Sequence, residues 1–492
     1  MSSSNFAELL MSRCSSTSEL IDAVTGEAIE KGEVCSSVSR TASFLLQQNL
    51  EPGDRIVLIV DHSPLTAIIY LGCIYAGLVA VPINASHAGT EPERYISLVG
   101  AKAVWAKDKT SLFPFPPEIR RFVGHITEGQ PEREASKRNP EDLAVLVATS
   151  GTIGNPRFVM VTHANLEANT QAIAKSQLLS SDDRAMLILP LSYCFGASIL
   201  HSHLLSGSSV VFDNRFMFPD KVLKAISEYG CTSFAGVPSV FHILLNRSNL
   251  AHIPMPTLRR FLQAGGSLSP VVVESIKSII PEVYFYCMYG QTEATARISC
   301  LNPEIHKEKP GSVGPPLHNL TVTILDDDGN ELPPTITGRV VVSGPSVCRG
   351  YWNDEENTGE IFQKRGLNTR DRGRVDEDGY LWIEGRESEF IKIRGRRVSC
   401  VEIEETVRQF KGVQDVGVCR AERGEAGEVP VIFVVPEQTS DRSSLTNAIR
   451  INMPKIWNCE LIYLLDKLPT TTSGKIDRKA LVSQAEEKDG SS

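Results

Sequence analysis

Short runs of β-branched and apolar residues, separated by segments with helical apolar spacing, recur through most of this chain. That alternation restricts the fold more than any single motif, because strands joined by crossover helices build parallel sheets. Strands are predicted at 55–60, 79–83, 186–189, 209–212, 232–237 and 283–286, and helices at 164–177, 219–229 and 270–280. The largely apolar stretch 65–81 is punctuated by Thr66, Tyr70, Gly72, Tyr75 and Gly77 and followed by Pro82; it reads as a buried helix and the strand after it. From about residue 320 the pattern turns to hairpin-like strands, 320–325 and 338–343, with Asp326, Asp327, Asp328 and Gly329 supplying turn chemistry between them. Toward the C-terminus, strands at 390–393, 416–419 and 429–435 and helices near 401–410 and 444–453 read as a compact α+β unit.

At 492 residues the chain exceeds one ordinary domain, and 41% hydrophobic with 22% charged residues is the mixture of a soluble globular protein. A net charge of −9 argues against a nucleic-acid surface, which needs clustered basic charge; the basic run 394–397 is too short to change that. Eleven cysteines are scattered without a Cys-x-x-Cys pair, so neither a zinc site nor a disulfide framework is expected. No charged and apolar leader opens the chain, and no window reaches the roughly 18 apolar residues of a spanning helix, so a cytoplasmic protein without a membrane span is expected. The polar tail 484–492 reads as disordered.

Directly after the apolar run 143–148 come Thr149, Ser150, Gly151, Thr152, Ile153, Gly154, Asn155, Pro156 and Arg157. Glycines let consecutive N–H groups point at one anion, hydroxyls add donors, and the cation offsets charge, so this segment reads as a phosphate-binding loop for a nucleoside triphosphate. A Ser/Thr/Gly-rich turn with no ligand is the plain alternative. A Walker loop is excluded, since no Gly-Lys-Ser/Thr follows at the required spacing.

Further motifs follow in order: Gly265-Gly266-Ser267, Tyr289-Gly290-Gln291-Thr292-Glu293, Gly311-Ser312-Val313-Gly314, Thr369-Arg370-Asp371, Gly385-Arg386, the segment from Ile391 through Gly395 to Glu404, and Leu468-Pro469 to Gly474-Lys475. With the loop at Thr149, they resemble the signatures of the adenylate-forming superfamily, which contains acyl- and aryl-CoA synthetases, adenylation domains of peptide synthetases, and luciferases. The resemblance implies a large α/β N-terminal domain of layered, mostly parallel sheets with a small β-rich subdomain, residues 1–385. It also implies a hinge at 386–389 and a small mobile α+β C-terminal domain at 390–483.

It implies ATP and Mg²⁺ as well. A carboxylate attacks the α-phosphorus of ATP to give an acyl-adenylate and pyrophosphate, and a thiol of CoA, or of the phosphopantetheine on a separate acyl or peptidyl carrier protein, then displaces AMP. Charge builds on oxygens throughout the first step, so positioning and charge stabilisation carry it. By resemblance Thr149, Ser150, Gly151, Thr152, Gly154 and Arg157 hold the β- and γ-phosphates, and Gly265, Gly266 and Ser267 contact adenine beside Tyr289, Gly290 and Gln291. Thr292 stands at the α-phosphate, Glu293 binds Mg²⁺, and Asp371 and Arg386 hold the ribose. Lys475 bridges the substrate carboxylate and α-phosphate, and the face around Gly395 serves thiol transfer after domain rotation.

Arg157 replaces the usual lysine, Phe158 the following glycine, Ile153 a second threonine, and Ser388 the hinge Asp or Lys. The acyl pocket is assigned to Tyr193, Gly196, Ala197, Leu200, Gly236, Met288, Ala296 and Arg297. Amino-acid-activating relatives carry an Asp where Gly196 stands, so a small aliphatic or aromatic carboxylic acid without an α-amine is expected, and Arg297 is expected to pair with Glu293 or with a second substrate carboxylate. A freestanding amino-acid loader and a non-catalytic nucleotide- or acyl-binding relative are the rival readings.

Overall fold

The computed structural model describes residues 5–14, 18–30, 32–84, 92–108, 118–149, 156–306, 309–393, 396–422, 428–437, 441–454, 457, 459, 461–469 and 476–489. The chain divides into two compact units: Met1–Gly265, Pro270–Thr323 and Val341–Thr369 form the first, and Gly266–Ser269, Ile324–Val340 and Arg370–Ser492 form the second.

Two sheets build the first unit. The larger runs, in spatial order, Ser299–Leu301, Tyr284–Tyr289, Arg260–Gln263, Ser233–Gly236, Arg184–Leu187, Ser209–Phe212, Leu20–Asp22, Ala28–Ile29. All its inner pairings are parallel and only the two outermost are antiparallel. The second sheet runs Arg120–Val123, Ala103–Ala106, Arg55–Val60, Val79–Asn84, Leu143–Thr149, Arg157–Thr162, parallel until its last pair. Strands buried on both faces carry near-continuous apolar sequence, as Arg55–Val60 does.

Helix Pro64–Tyr75 is buried along almost its whole length, which is why 65–81 reads as apolar rather than amphipathic. Helix Cys194–Leu205 is enclosed in the same way. Its His201 stacks on Tyr70, ring centroids 5.6 Å apart, and meets Phe6 edge-on at 5.0 Å. The strand expected at 186–189 instead runs Arg184–Leu187. Its start was masked by charge: Asp183, immediately before it, is buried and ion-paired with the equally buried Arg260 at 2.7 Å.

A five-stranded sheet orders Thr321–Leu325, Gly338–Ser343, Gly366–Val375 and Phe362–Gln363, with Leu381–Arg386 also paired to Gly366–Val375; the division between the two units passes through its strands. Residues 370–385, read from sequence as part of the first domain, fall in the second unit. They are two paired strands that run straight on into Glu387, and the division follows that pairing.

In the second unit, Val413–Glu422 pairs antiparallel with Glu428–Pro436, which pairs parallel with Leu461–Leu464. Alternation along these strands sorts side chains onto two faces. Val416, Val418, Ile432 and Val434 join Ile403, Val407, Leu445 and Ile449 on one face. Cys419, Val431, Phe433 and Val435 join Leu481 and Ala485 on the other. This second cluster corrects the tail assignment. Residues 484–489 are the end of helix Arg478–Asp489, because Leu481 and Ala485, one turn apart, bury an apolar stripe that the charged composition hides.

Candidate active site

The apolar run before the predicted phosphate loop is strand Leu143–Thr149, hairpinned to Arg157–Thr162 so that Thr149 and Arg157 face each other as the last pair. Ser150, Gly151, Thr152, Ile153 and Gly154 lie outside the described residues. Arg157, the substitute for lysine, has Nε 3.3 Å from a carboxylate oxygen of Asp354, and its guanidinium lies 5.7 Å from the centre of the Tyr351 ring. Part of its charge is thus already offset by protein. Phe158 is buried in the core and meets Tyr95 edge-on, so a packing residue stands where the family has glycine.

Strand Tyr284–Tyr289 delivers the pentapeptide loop, which turns through the 3₁₀ segment Thr292–Ala294 and returns as Ser299–Leu301. Gly290 is required by close approach: a Cβ there would lie 1.9 Å from the Ala296 carbonyl oxygen. The return is sharpened at Thr295, whose φ of 67° and ψ of −60° form a strained γ-turn closed by the Ala296 N–H donating to the Ala294 carbonyl at 2.8 Å. A β-branched residue adopts positive φ only when its surroundings fix it. Here the Thr295 hydroxyl donates to the Ser346 carbonyl at 2.7 Å.

Glu293 is half-buried, and its carboxylate accepts a 2.8 Å hydrogen bond from the Tyr351 hydroxyl. Its main-chain carbonyl accepts from the Cys348 N–H at 2.9 Å. One carboxylate oxygen is anchored, and the group suits a hard cation shared with phosphate oxygens. Thr292 Oγ1 donates to Cys194 Sγ at 3.4 Å, which ties the pentapeptide to the start of helix Cys194–Leu205. Burial pushes the Cys348 thiol up to about 12, so it stays protonated. Gln291 Nε2 is buried and has no acceptor among the described residues.

Among the predicted pocket residues, Ala197 and Ala296 line one cavity of about 20 Å³ with Cys194, Ser198 and His201. Tyr193 caps helix Cys194–Leu205, and Leu200 and Met288 are fully enclosed, Met288 Sδ accepting from Gln177 at 3.4 Å. Gly196 does not face open space, since a Cβ there would lie 2.3 Å from the Pro190 carbonyl oxygen. Close packing of the helix against Pro190 is by itself enough to require glycine at this position. Gly236 is packed just as tightly, a Cβ there meeting Val240 at 2.7 Å.

The expected Arg297–Glu293 pair does not form. Arg297 is 1% exposed, and its guanidinium sits 4.7 Å from the centre of the Phe195 ring. Burial lowers its pKa, and Cys300, Cys194 and Tyr193 act weakly in the opposite direction. Glu293 is drawn instead to Tyr351, a partner 58 residues away in sequence with no local pattern linking the two. No local sequence pattern points to Asn169 either: its side-chain amide donates to the Arg297 carbonyl at 2.8 Å and accepts from the Arg297 N–H at 3.2 Å.

In the second unit, Asp371 and Arg386 are directly opposed across paired strands, with Arg386 Nε 3.5 Å from the Asp371 carboxylate. Asp371 is 7% exposed by side chain and Arg386 54%, so a buried acceptor is held by a half-exposed cation. Gly265, with φ of 88°, ends the first unit's opening segment Met1–Gly265, while Gly266 and Ser267 belong to the second unit. Lys475 and Gly395 lie outside the described residues. The motif beyond Lys475 is firmly seated: Arg478 bridges Glu404, 3% exposed, at 3.1 Å through Nη2 and Glu389 at 3.1 Å through Nε, and the Asp477 N–H donates to the Pro469 carbonyl at 2.9 Å.

Among the described residues no helix is long and apolar enough to cross a membrane, and ten cysteines are free thiols.

Comparison with known proteins agrees with this arrangement. Residues 24–352 match the family model described as AMP-binding enzyme, and residues 402–475 match its C-terminal domain. The chain is 29% identical to a feruloyl-CoA synthase of Amycolatopsis over 92% of this chain and 93% of the relative. It is 28% identical to a 2-succinylbenzoate–CoA ligase of Bacillus pumilus over 92% of each chain. Among solved structures, the o-succinylbenzoate CoA synthetase of Bacillus subtilis with AMP superimposes with a TM-score of 0.84 at 25% identity, covering 97% of this chain and 98% of that one. An anthranilate CoA ligase holding anthranoyl-AMP shares the fold with a TM-score of 0.88 at 24% identity, covering 98% and 97%. The α/β architecture, the ordered motifs and these matches together show that the chain belongs to the AMP-binding enzyme family of adenylate-forming ligases.

Proposed function

We propose that the protein is an AMP-forming acid–thiol ligase that activates a small carboxylic acid with ATP and transfers the acyl group to CoA. The observation that carries this reading is the Glu293 carboxylate, fixed by Tyr351 on a strained loop beside Thr292. Attack by the acid on the α-phosphorus requires two anions to approach, and a carboxylate with one anchored oxygen suits a Mg²⁺ ion that would neutralise phosphate charge there. Glu293 would hold that cation, Thr292 would orient the α-phosphate, and the Ser150–Gly154 hydroxyls and N–H groups would hold the terminal phosphates. The opposed pair Asp371 and Arg386 offers an ionised acceptor for two ribose hydroxyls.

Lys475 is assigned to bridge the acid and α-phosphate, delivered by the second unit. Presentation of the Gly395 face for thiol attack belongs to the same proposal. CoA is the acceptor named for the feruloyl and succinylbenzoyl relatives, and the Bacillus subtilis synthetase has been solved with ATP and a magnesium ion at 26% identity. These names support CoA as the thiol, ahead of a carrier-protein phosphopantetheine.

The test is ATP–pyrophosphate exchange across fatty, aryl, hydroxy, dicarboxylic and amino acids with Mg²⁺ and no thiol, followed by CoA addition and detection of the thioester. Acid-dependent exchange, then thioester with AMP rather than ADP, is the expected result. ATP binding without exchange from any acid contradicts the proposal.

A further inference from the structure

A guanidinium withdrawn from water without hydrogen-bond partners is among the costliest groups a fold can bury. Arg297 approaches that state: among the described residues Nε and Nη2 are buried with no acceptor, and no carboxylate pairs with the side chain. The Phe195 ring face, 4.7 Å away, offers a cation only weak compensation.

The backbone around this side chain is nevertheless firmly set. The strained turn at Thr295 immediately precedes it, pinned by the bond to Ser346, and the Asn169 amide clamps both the N–H and the carbonyl of Arg297 itself. Strain held in place by independent hydrogen bonds is typical of residues whose direction matters to function. Phe195, under the guanidinium, and Cys194, beside it, begin the helix that carries Ala197 to the cavity shared with Ala296.

We infer that Arg297 is the anion-recognising residue of the acyl pocket, and that the acid this protein adenylates is a compact dicarboxylate whose second carboxylate pairs with it. This rests on the adenylating function proposed above and names its substrate class. The planar fork of Arg297 matches a carboxylate in two-point contact, and the ligand supplies the counter-charge that no carboxylate among the described residues provides. Thr292 and Glu293 are assigned to the phosphate end of the reaction, and the Glu293 carboxylate is engaged by Tyr351, so the distal end of the acid is the group left to meet Arg297. A monocarboxylic acid of the same length leaves the buried cation unpaired and is selected against.

The test compares matched pairs of short mono- and α,ω-dicarboxylic acids in ATP–pyrophosphate exchange, using the full chain and the variants Arg297→Met and Arg297→Lys. In parallel, thermal melting is read with each diacid plus AMP, which needs no turnover. The wild type is expected to favour one diacid over its monoacid by roughly 100-fold or more in kcat/KM. Arg297→Met is expected to erase that ratio and the diacid-induced rise in Tm while melting, without ligand, no lower than wild type; Arg297→Lys keeps part of the ratio. Equal loss of rate for all acids, or a lower unliganded Tm in Arg297→Met with the diacid ratio intact, overturns the inference. Arg297-dependent diacid stabilisation without exchange from any acid upholds the binding site and overturns the ligase reading. Absence of both signals overturns both.

Discussion

Replacing Tyr351 by Phe removes a single oxygen from a side chain that is 5% exposed. That oxygen donates to the Glu293 carboxylate at 2.8 Å, while the Glu293 main-chain carbonyl is held by the Cys348 N–H. A hydrogen bond to a charged acceptor is worth about 1.5–3 kcal/mol, which corresponds to roughly 10- to 150-fold in a step that depends on where the carboxylate sits. The ring itself, edge-on to Phe362 at 5.5 Å and beneath Arg157, is unchanged by the substitution. The loss is therefore expected in Mg²⁺ dependence rather than folding. Pyrophosphate exchange by Tyr351→Phe should fall by one to two orders of magnitude at limiting Mg²⁺ and recover in part as Mg²⁺ is raised, with Tm within a few degrees of wild type. Wild-type exchange at limiting Mg²⁺ refutes the positioning argument, as does a loss that Mg²⁺ does not touch.

Gly290→Ala places a Cβ against a main-chain oxygen that no rotamer change can move aside, so it should displace the 296–297 segment, destabilise by about 1–3 kcal/mol and depress exchange by more than tenfold; normal activity with an unchanged melting curve contradicts this. Lys475→Ala should abolish adenylate formation but spare thioester formation from a supplied acyl-adenylate, and equal loss of both half-reactions contradicts its assignment to the first step alone. Burial lowers the pKa of His201 to about 3 and those of His163 and His203 to about 4. The unfolded chain therefore binds protons below about pH 6.5 that the folded chain refuses, and stability should fall as pH drops from there toward 4, by about 1.4 kcal/mol per unit for each histidine. Urea unfolding at pH 7 and pH 5 reads this directly, and equal stability at both values contradicts it.

Much of the architecture was legible because its signals are local. Strands 55–60, 209–212, 338–343 and 390–393 carry unbroken apolar or alternating patterns, and their predicted bounds coincide with the observed Arg55–Val60, Ser209–Phe212, Gly338–Ser343 and Phe390–Ile393. Where charge sits inside a buried element the local signal misleads. The buried Asp183–Arg260 pair displaced one strand by two residues, and the charged end of the final helix concealed the stripe that seats it. The pentapeptide was visible as a motif, but what holds it was not. Tyr351 reaches Glu293, and Ser346 and Asn169 reach Thr295 and Arg297 just beyond it, from distant segments; a single sequence carries no trace of such long-range hydrogen bonds. The partner of Arg297 was misjudged for the same reason: proximity in sequence suggested Glu293, whereas the γ-turn at Thr295 separates the two side chains.

In the proposed reaction the acid's own oxygen attacks the α-phosphorus of ATP. Incubating the protein with ATP, Mg²⁺, CoA and its acid labelled with ¹⁸O in the reacting carboxylate, then weighing the nucleotide product by mass spectrometry, tests that step most directly. One ¹⁸O atom is expected in AMP and none in inorganic phosphate, because thiol attack on the acyl carbon leaves the bridging oxygen with phosphorus. Label in inorganic phosphate with ADP as the nucleotide product, or thioester formation without label in AMP, contradicts it.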